Sequence, residues 1–218
     1  MSASRTKLIV LDLDGPVLDG RERHYQCYRD ILIESKCDPL EIDVYWELKR
    51  NKSSLAAQLE LSGATVLRDS FLPCWLDRIE LPKYLALDRV QPFVSDTLAR
   101  LESQGIPVVL LTMRNHADHL YQQLENLELS KFFSEVVAVK SEKGVESKLS
   151  AAARLLSKFD PGELLWVGDT EADVLPAQAL KIPVCAIESG LRNREYLSSL
   201  KPDFIIRSMA ELYDVIQT

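Results

Sequence analysis

Residues 8 to 19 read Leu8-Ile9-Val10-Leu11-Asp12-Leu13-Asp14-Gly15-Pro16-Val17-Leu18-Asp19. A continuous apolar run, rather than an alternating one, fits a strand buried on both faces of a parallel sheet. The run stops abruptly at acid. Residues two apart in an extended chain point to the same side, so Asp12 and Asp14 can face one pocket at the strand's carboxyl end, where open α/β sheets bind ligands. Two such carboxylates repel each other, and desolvation adds to the cost unless a cation or a shared proton offsets it. A solvated turn with a helix-capping aspartate would use the same residues.

Outward from this stretch, short apolar runs recur at Lys7 to Leu11, Pro107 to Leu111, Glu135 to Val139, Glu163 to Val167, Pro183 to Ile187 and Phe204 to Ile206. Helical spacing of apolar residues lies between them at Ser95 to Gln104, Ala117 to Glu128, Lys148 to Lys158 and Glu171 to Leu180, with Gly105 as a helix stop. Alternating strands and helices of this kind predict an α/β fold, a Rossmann-like parallel sheet. The segment from Arg21 to Val90 breaks the alternation, with about four helical patterns in succession and no convincing strand. It is too long for a loop. It reads as an inserted α-helical subdomain over 20–90, leaving 1–19 and 91–218 as the core domain, with hinges near Asp19-Gly20 and Gln91-Pro92. No internal repeat or low-complexity tract is present.

Composition narrows the class. With 218 residues, 46% of them hydrophobic, the chain can bury a full core, and disorder is excluded. A net charge of −7 argues against sequence-independent nucleic-acid binding, which needs a clustered cationic surface, so an anionic ligand must be held locally. No apolar run approaches the roughly 20 residues of a membrane span, and the N-terminus fits no signal peptide. Cys27, Cys37, Cys74 and Cys185 are too scattered for a disulfide framework or a zinc ribbon. The expectation is a cytoplasmic protein with reduced thiols, without nucleic-acid or membrane partners, monomeric or homodimeric.

A second apolar strand ends in acid at Leu164-Leu165-Trp166-Val167-Gly168-Asp169-Thr170-Glu171-Ala172-Asp173. Asp169 sits at the strand end and Asp173 one helical turn later. Alone this is simple helix capping; paired with Asp12 and Asp14 it reads as a site for a hard cation such as Mg²⁺, which takes oxygen ligands and often a substrate phosphate. Val108 to Thr112 is a strand ending in a hydroxyl, and the Met113 and Arg114 amides beyond it open onto a helix, an anion seat. Lys148 stands at the head of a helical pattern.

In this order the residues resemble the haloacid dehalogenase-like (HAD) superfamily, in particular its phosphoglycolate phosphatase-like members with a helical cap inserted after the first strand. The four motifs are Asp12-x-Asp14-Gly15-x-x-x-Asp19, the strand ending in Thr112, Lys148, and Gly168-Asp169-x-x-x-Asp173. Lys148 is preferred over Lys140 and Lys143 for its place at the start of the helix leading to the Gly168-Asp169 strand. The resemblance implies a Mg²⁺-dependent phosphatase of a small phosphomonoester, a phosphoglycolate- or sugar-phosphate-like metabolite. Asp12 would be the nucleophile that forms an aspartyl-phosphate, and Asp14 the general acid and base. The Asp12 carboxylate, the Asp14 backbone carbonyl and Asp169 would hold the ion, with Asp173 supporting the metal shell. Thr112, Met113 and Lys148 would bind the phosphoryl group. Dehalogenation is disfavoured, because similar dehalogenases lack the acid at position 14.

Two departures stand out. Position 16 is Pro where the family usually has Thr, which predicts altered orientation around Asp14 with reduced turnover, and Leu149 stands where Pro is frequent. In the insert, Lys49-Arg50-Asn51-Lys52-Ser53 resembles the family's specificity loop, so Arg50 or Lys52 is expected to contact a second anionic group; a solvated helix end with basic residues at the dipole reads equally well. His116 and His119 are three apart with no apparent third ligand, and Trp46, Trp75 and Trp166 read as packing residues. Signatures of nucleotide P-loops, serine hydrolases and dinucleotide folds are missing. The alternatives are a phosphomutase of the same family and a non-catalytic binding or regulatory protein on the same scaffold.

Overall fold

The computed structural model of the protein describes residues 6–140 and 144–217. Lys143 therefore lies outside the described residues. The chain enters through β1 (Leu8–Leu11), turns, and forms the two-residue β2 (Leu18–Asp19). A helical stretch follows: α1 (Arg21–Glu34), α2 (Ile42–Arg50), α3 (Leu55–Leu61), α4 (Phe71–Arg78) and α5 (Pro82–Leu85). The chain returns through β3 (Arg89–Val90), which pairs with β2 in a two-stranded ribbon. From there helices and strands alternate: α6 (Val94–Ser103), β4 (Val108–Met113), α7 (Ala117–Asn126), β5 (Glu135–Val139), α8 (Val145–Ala153), β6 (Leu164–Gly168), α9 (Glu171–Ala179), β7 (Val184–Ile187), α10 (Arg194–Ser199), β8 (Phe204–Ile206) and α11 (Leu212–Ile216).

Two compact units result. A core runs to Asp19 and resumes at Val90, and an inserted unit spans Gly20–Arg89. Val90 packs against the core's apolar cluster, so the core resumes one residue before position 91.

The core is a six-stranded sheet in the order β5-β4-β1-β6-β7-β8, parallel throughout. Alternate residues of β1 serve its two faces, as the pleat requires. Ile9 and Leu11 pack with Val94, Leu98 and Leu101 of α6, Leu120 and Leu124 of α7, and Leu212 of α11. Leu8 and Val10 pack with Ala152 of α8, Val174 and Ala177 of α9, and Leu197 of α10. Gly105 ends α6 in the left-handed region (φ 69), with the Ile106 amide returning to the Leu101 carbonyl, a terminus that glycine adopts without steric cost. The helix predicted over Lys148 to Lys158 instead begins at Val145, ends at Ala153 and gives way to a 3₁₀ turn at Leu155–Ser157.

The inserted unit has its own core of Cys27, Ile31, Leu32, Leu59 and Phe71 around the stacked rings of Tyr28 and Tyr45, 4.3 Å apart. Arg23, near the start of the unit, forms a buried ion pair with Asp88, near its end, at 2.8 Å. Trp46 and Trp75 both pack on the His24 ring, and Lys49 Nζ lies 5.4 Å over the Trp75 ring. All four cysteines are unbridged. Among the described residues no helix is long and apolar enough to cross a membrane.

Candidate active site

β1 lies between β4 and β6, with Leu11 in register with Leu110 on one side and Val167 on the other. The carboxyl ends of three strands therefore meet at one place, beside the position where strand order reverses. Asp12 leaves β1 there, its amide donating to the Val167 carbonyl at 3.0 Å. Asp169 leaves β6 immediately alongside. Asp12, Asp169 and Asp173 are 6%, 1% and 0% exposed, and each offers a carboxylate oxygen within 4.8 Å of the others.

Such a concentration of buried acid requires positive charge. Lys148 supplies one: fully buried, it contacts Asp12 Oδ2 at 2.9 Å and Asp173 Oδ1 at 2.6 Å. Because α8 starts at Val145, Lys148 is its fourth residue, on the helix packed against α9. Burial pushes the ammonium down, but the carboxylates of Asp12 and Asp173 outweigh it and hold the lysine charged. One cation does not neutralise three acids. Burial, the neighbouring Asp173 and Asp14 raise Asp12 to about 7 against the pull of Lys148, and burial with Asp12 and Asp173 raises Asp169 well above the usual carboxylate range.

The three aspartates have different partners. Asp12 Oδ1 accepts from the Leu13 amide at 2.8 Å. Asp173 is used up: Oδ1 accepts from Lys148 Nζ and, at 3.3 Å, from Trp166 Nε1, while Oδ2 accepts from the Asp169 and Thr170 amides and the Thr170 hydroxyl. It closes a capping box at the start of α9 and anchors the lysine. Asp169 is held by one oxygen only. Oδ2 accepts from the Leu191 amide at 2.5 Å, whereas Oδ1 is buried without a hydrogen-bond partner. Gly15 (φ 98) and Gly190 flank this carboxylate so closely that a Cβ at either would overlap it. An all-oxygen donor set, a carboxylate oxygen with no partner, and acids driven toward protonation by burial together fit a hard divalent cation held by Asp12 and Asp169, with Asp173 behind them.

Asp14 turns elsewhere. Its carboxylate, partly exposed, pairs with Arg114 Nη2 at 2.7 Å, and Arg114 is buried just beyond β4. Thr112, within β4, is 1% exposed, and Met113 closes the strand half-buried. Pro16 sits in a tight turn closed by its neighbours: the Gly15 amide donates to Leu18, and the Val17 and Leu18 amides donate to Leu13. The missing amide hydrogen of Pro16 is not one this turn uses.

A profile of the haloacid dehalogenase-like hydrolases matches residues 6–181. The chain belongs to this family. Among curated relatives, pyrophosphatase PpaX of Oceanobacillus iheyensis is 27% identical over 128 residues, 57% of this chain and 59% of the relative. Phosphoglycolate phosphatase of Escherichia coli K12 is 30% identical over 124 residues, 56% of this chain and 48% of the relative. The chain thus aligns over about half the length of these relatives. In fold, a haloacid dehalogenase-like family hydrolase from Streptococcus pneumoniae superimposes over the whole of both chains with a TM-score of 0.79 at 19% identity.

In this HAD-like hydrolase the structure groups Asp12, Asp169 and Asp173 together and sets Lys148 against Asp12 and Asp173. It does not bring the Asp14 carboxylate into the metal-capable grouping, because Arg114 takes it. Arg50 and Lys52 belong to the inserted unit, where Arg50 ends α2 and Lys52 follows in the left-handed region (φ 58). Sequence reasoning had Trp166 as packing only; it also donates to Asp173. It missed the seat of Asp169, built by Gly15, Gly190 and the Leu191 amide. A strand followed by Ser189-Gly190 was the available signal, since glycine after a buried strand marks close backbone approach.

Proposed function

We propose that this chain is a Mg²⁺-dependent phosphatase that hydrolyses a small phosphomonoester through a phosphoryl group carried on Asp12. The observation that carries this reading is the buried Asp12–Lys148–Asp169 arrangement with its partnerless Asp169 Oδ1. An Asp12 oxygen attacks phosphorus, the P–O bond to the leaving alcohol breaks, and Asp14 gives that oxygen its proton. Asp14 then takes a proton from the water that attacks the aspartyl-phosphate, releasing phosphate and restoring Asp12. Mg²⁺, when bound by Asp12, Asp169 and the Asp14 backbone carbonyl, screens the repulsion between nucleophile and phosphoryl dianion. Lys148 adds a fixed positive charge beside the attacking carboxylate, and Thr112 and Met113 line the phosphoryl seat. Arg114 holds Asp14 in position.

The inserted unit is read as a cap that recognises the leaving portion, with Arg50 or Lys52 meeting a second anionic group. Relatives named for phosphoglycolate and pyrophosphate define the first substrates to try, with sugar phosphates beside them. The site of action is read as cytoplasmic. The test is phosphate release across such a panel, with Mg²⁺ or with chelator. Asp12→Asn is expected to lower turnover by at least about a thousand-fold. Activity that survives both chelator and Asp12→Asn would overturn the mechanism. Arg50→Glu is expected to raise KM for the preferred substrate and leave hydrolysis of a plain aryl phosphate unchanged; equal effects on both would remove Arg50 from recognition.

A further inference from the structure

Behind the Asp169 carboxylate two loops meet that are distant in sequence. One is the turn after β1, which presents Gly15; the other follows β7 and presents Ser189, Gly190 and Leu191. Neither loop is held to the other by a strand pairing. The side chain of Gln91 spans them: its amide nitrogen donates to the Gly15 carbonyl at 3.3 Å and to the Ser189 carbonyl at 3.1 Å. Its own backbone is rooted in the same turn, with the Gln91 amide donating to the Val17 carbonyl at 2.8 Å, and Ser189 Oγ adds a longer bond to the Gly15 carbonyl at 3.4 Å.

We infer that Gln91 is a positioning residue for the divalent-cation site, setting the gap between the two glycines in which Asp169 is seated. The inference rests on the Mg²⁺ reading of Asp12 and Asp169. The chemistry of the side chain suits the task. A primary amide carries two N–H donors on one nitrogen, and both carbonyls require a donor. An ionised glutamate of the same length offers only acceptors to them, and methionine offers neither. If the Gly15 and Ser189 loops separate, Leu191 loses its hold on Asp169 Oδ2, and the ligand that carries the partnerless Oδ1 is no longer fixed toward the ion. Gln91 follows Val90, where the core resumes after the inserted unit, so the residue that braces the metal seat is the first side chain beyond the two-stranded ribbon.

A matched control exists in the same molecule. Gln178, at the far end of α9 from Asp173, donates in the same manner to the Leu200 and Lys201 carbonyls at 2.9 and 3.0 Å. Mg²⁺ binding to the full chain is measured by titration calorimetry for wild type, Gln91→Met, Gln91→Glu and Gln178→Met, with Tm recorded for each. Gln91→Met is expected to weaken Mg²⁺ binding by about ten-fold or more and Gln91→Glu by at least as much, while Gln178→Met stays within about two-fold of wild type. Gln91→Asn, which keeps the donors on a shorter arm, is the fallback should either longer variant fail to fold, and is expected to bind Mg²⁺ more weakly than wild type. Gln91 variants that bind Mg²⁺ as wild type does, or a Gln178→Met loss equal to theirs, overturn the positioning role. A wild-type chain that takes up no Mg²⁺ overturns the cation reading itself, and the inference with it.

Discussion

Asp12 and Asp169 are acids placed where acids are costly, and that cost makes them sensitive to pH and to metal. Burial, before any other cause, pushes Asp12 up to about 7 in the folded chain against an ordinary 3.8. Between those two values the folded state keeps a proton that the unfolded state has released, so the stability of the metal-free protein falls as pH rises through this window and levels off above it. On the proposed reading Mg²⁺ binds the ionised carboxylate, so the stabilisation it would give grows over the same window. Calorimetric melts at pH 5 and pH 8, with chelator or with Mg²⁺, are expected to show a larger Mg²⁺-induced rise in Tm at pH 8; an equal rise at both would detach Asp12 from the site. Asp12 and Asp169 themselves were legible in the sequence because each ends an apolar strand, and strand ends of a parallel sheet converge by topology alone. For the Gly190 and Leu191 contacts the sequence carries only a glycine after a buried strand, which marks a close approach; that Asp169 is what approaches follows from a loop closing against another strand's end, which no local pattern encodes.

At the level of elements, α9 shows how one residue serves two structures. Asp173 caps the helix through the Thr170 and Asp169 amides and fixes Lys148 on the neighbouring α8. Capping and a cation site were competing readings of Gly168-Asp169-x-x-x-Asp173; in the structure Asp173 caps α9 and also pairs with Lys148. Thr170→Ala, which removes the cap on the Ala172 amide and one hydroxyl donor to Asp173 but leaves Lys148 its carboxylate, should cost about 1 kcal/mol. Asp173→Asn also strips a charged hydrogen bond from a fully buried lysine and should cost about 2–3 kcal/mol. Urea melts of the two variants measure the difference, and equal losses would show that the lysine does not depend on Asp173. The strands of the core match the apolar runs almost residue for residue, and in β1, β6 and β7 burial on both faces leaves little freedom in their composition. The start of α8 does not match: it follows Gly144, and the apolar spacing of Val145, Leu149 and Ala152 is too sparse to fix its first turn.

For the whole molecule, the insertion was visible as an unbroken series of helical patterns where the alternation of strand and helix lapsed. What the sequence does not reveal is how that unit closes on itself. Arg23 and Asp88 are 65 residues apart, and their ion pair is almost wholly shielded from water, with side chains 3% and 0% exposed. Removing one partner breaks a buried ion pair, so Arg23→Met should destabilise the inserted unit by about 3–5 kcal/mol, and Asp88→Leu added to it should restore much of that loss. Hydrogen exchange locates the effect: faster exchange is expected at Tyr28 and Leu32 and unchanged exchange at Ile9 and Val109. Loss of protection in the β-sheet as well would mean that the two units do not unfold separately. The tryptophans are divided in the same way. Trp166 is sealed in the core unit with its indole N–H on Asp173, whereas Trp46 and Trp75 stand against His24 in the insert. Replacing one set or the other by phenylalanine therefore yields proteins whose fluorescence reports a single unit, and in the Trp166-only form the emitting ring touches the carboxylate that anchors Lys148, so the polarity of the chemical centre becomes readable as a colour of light without any attached dye.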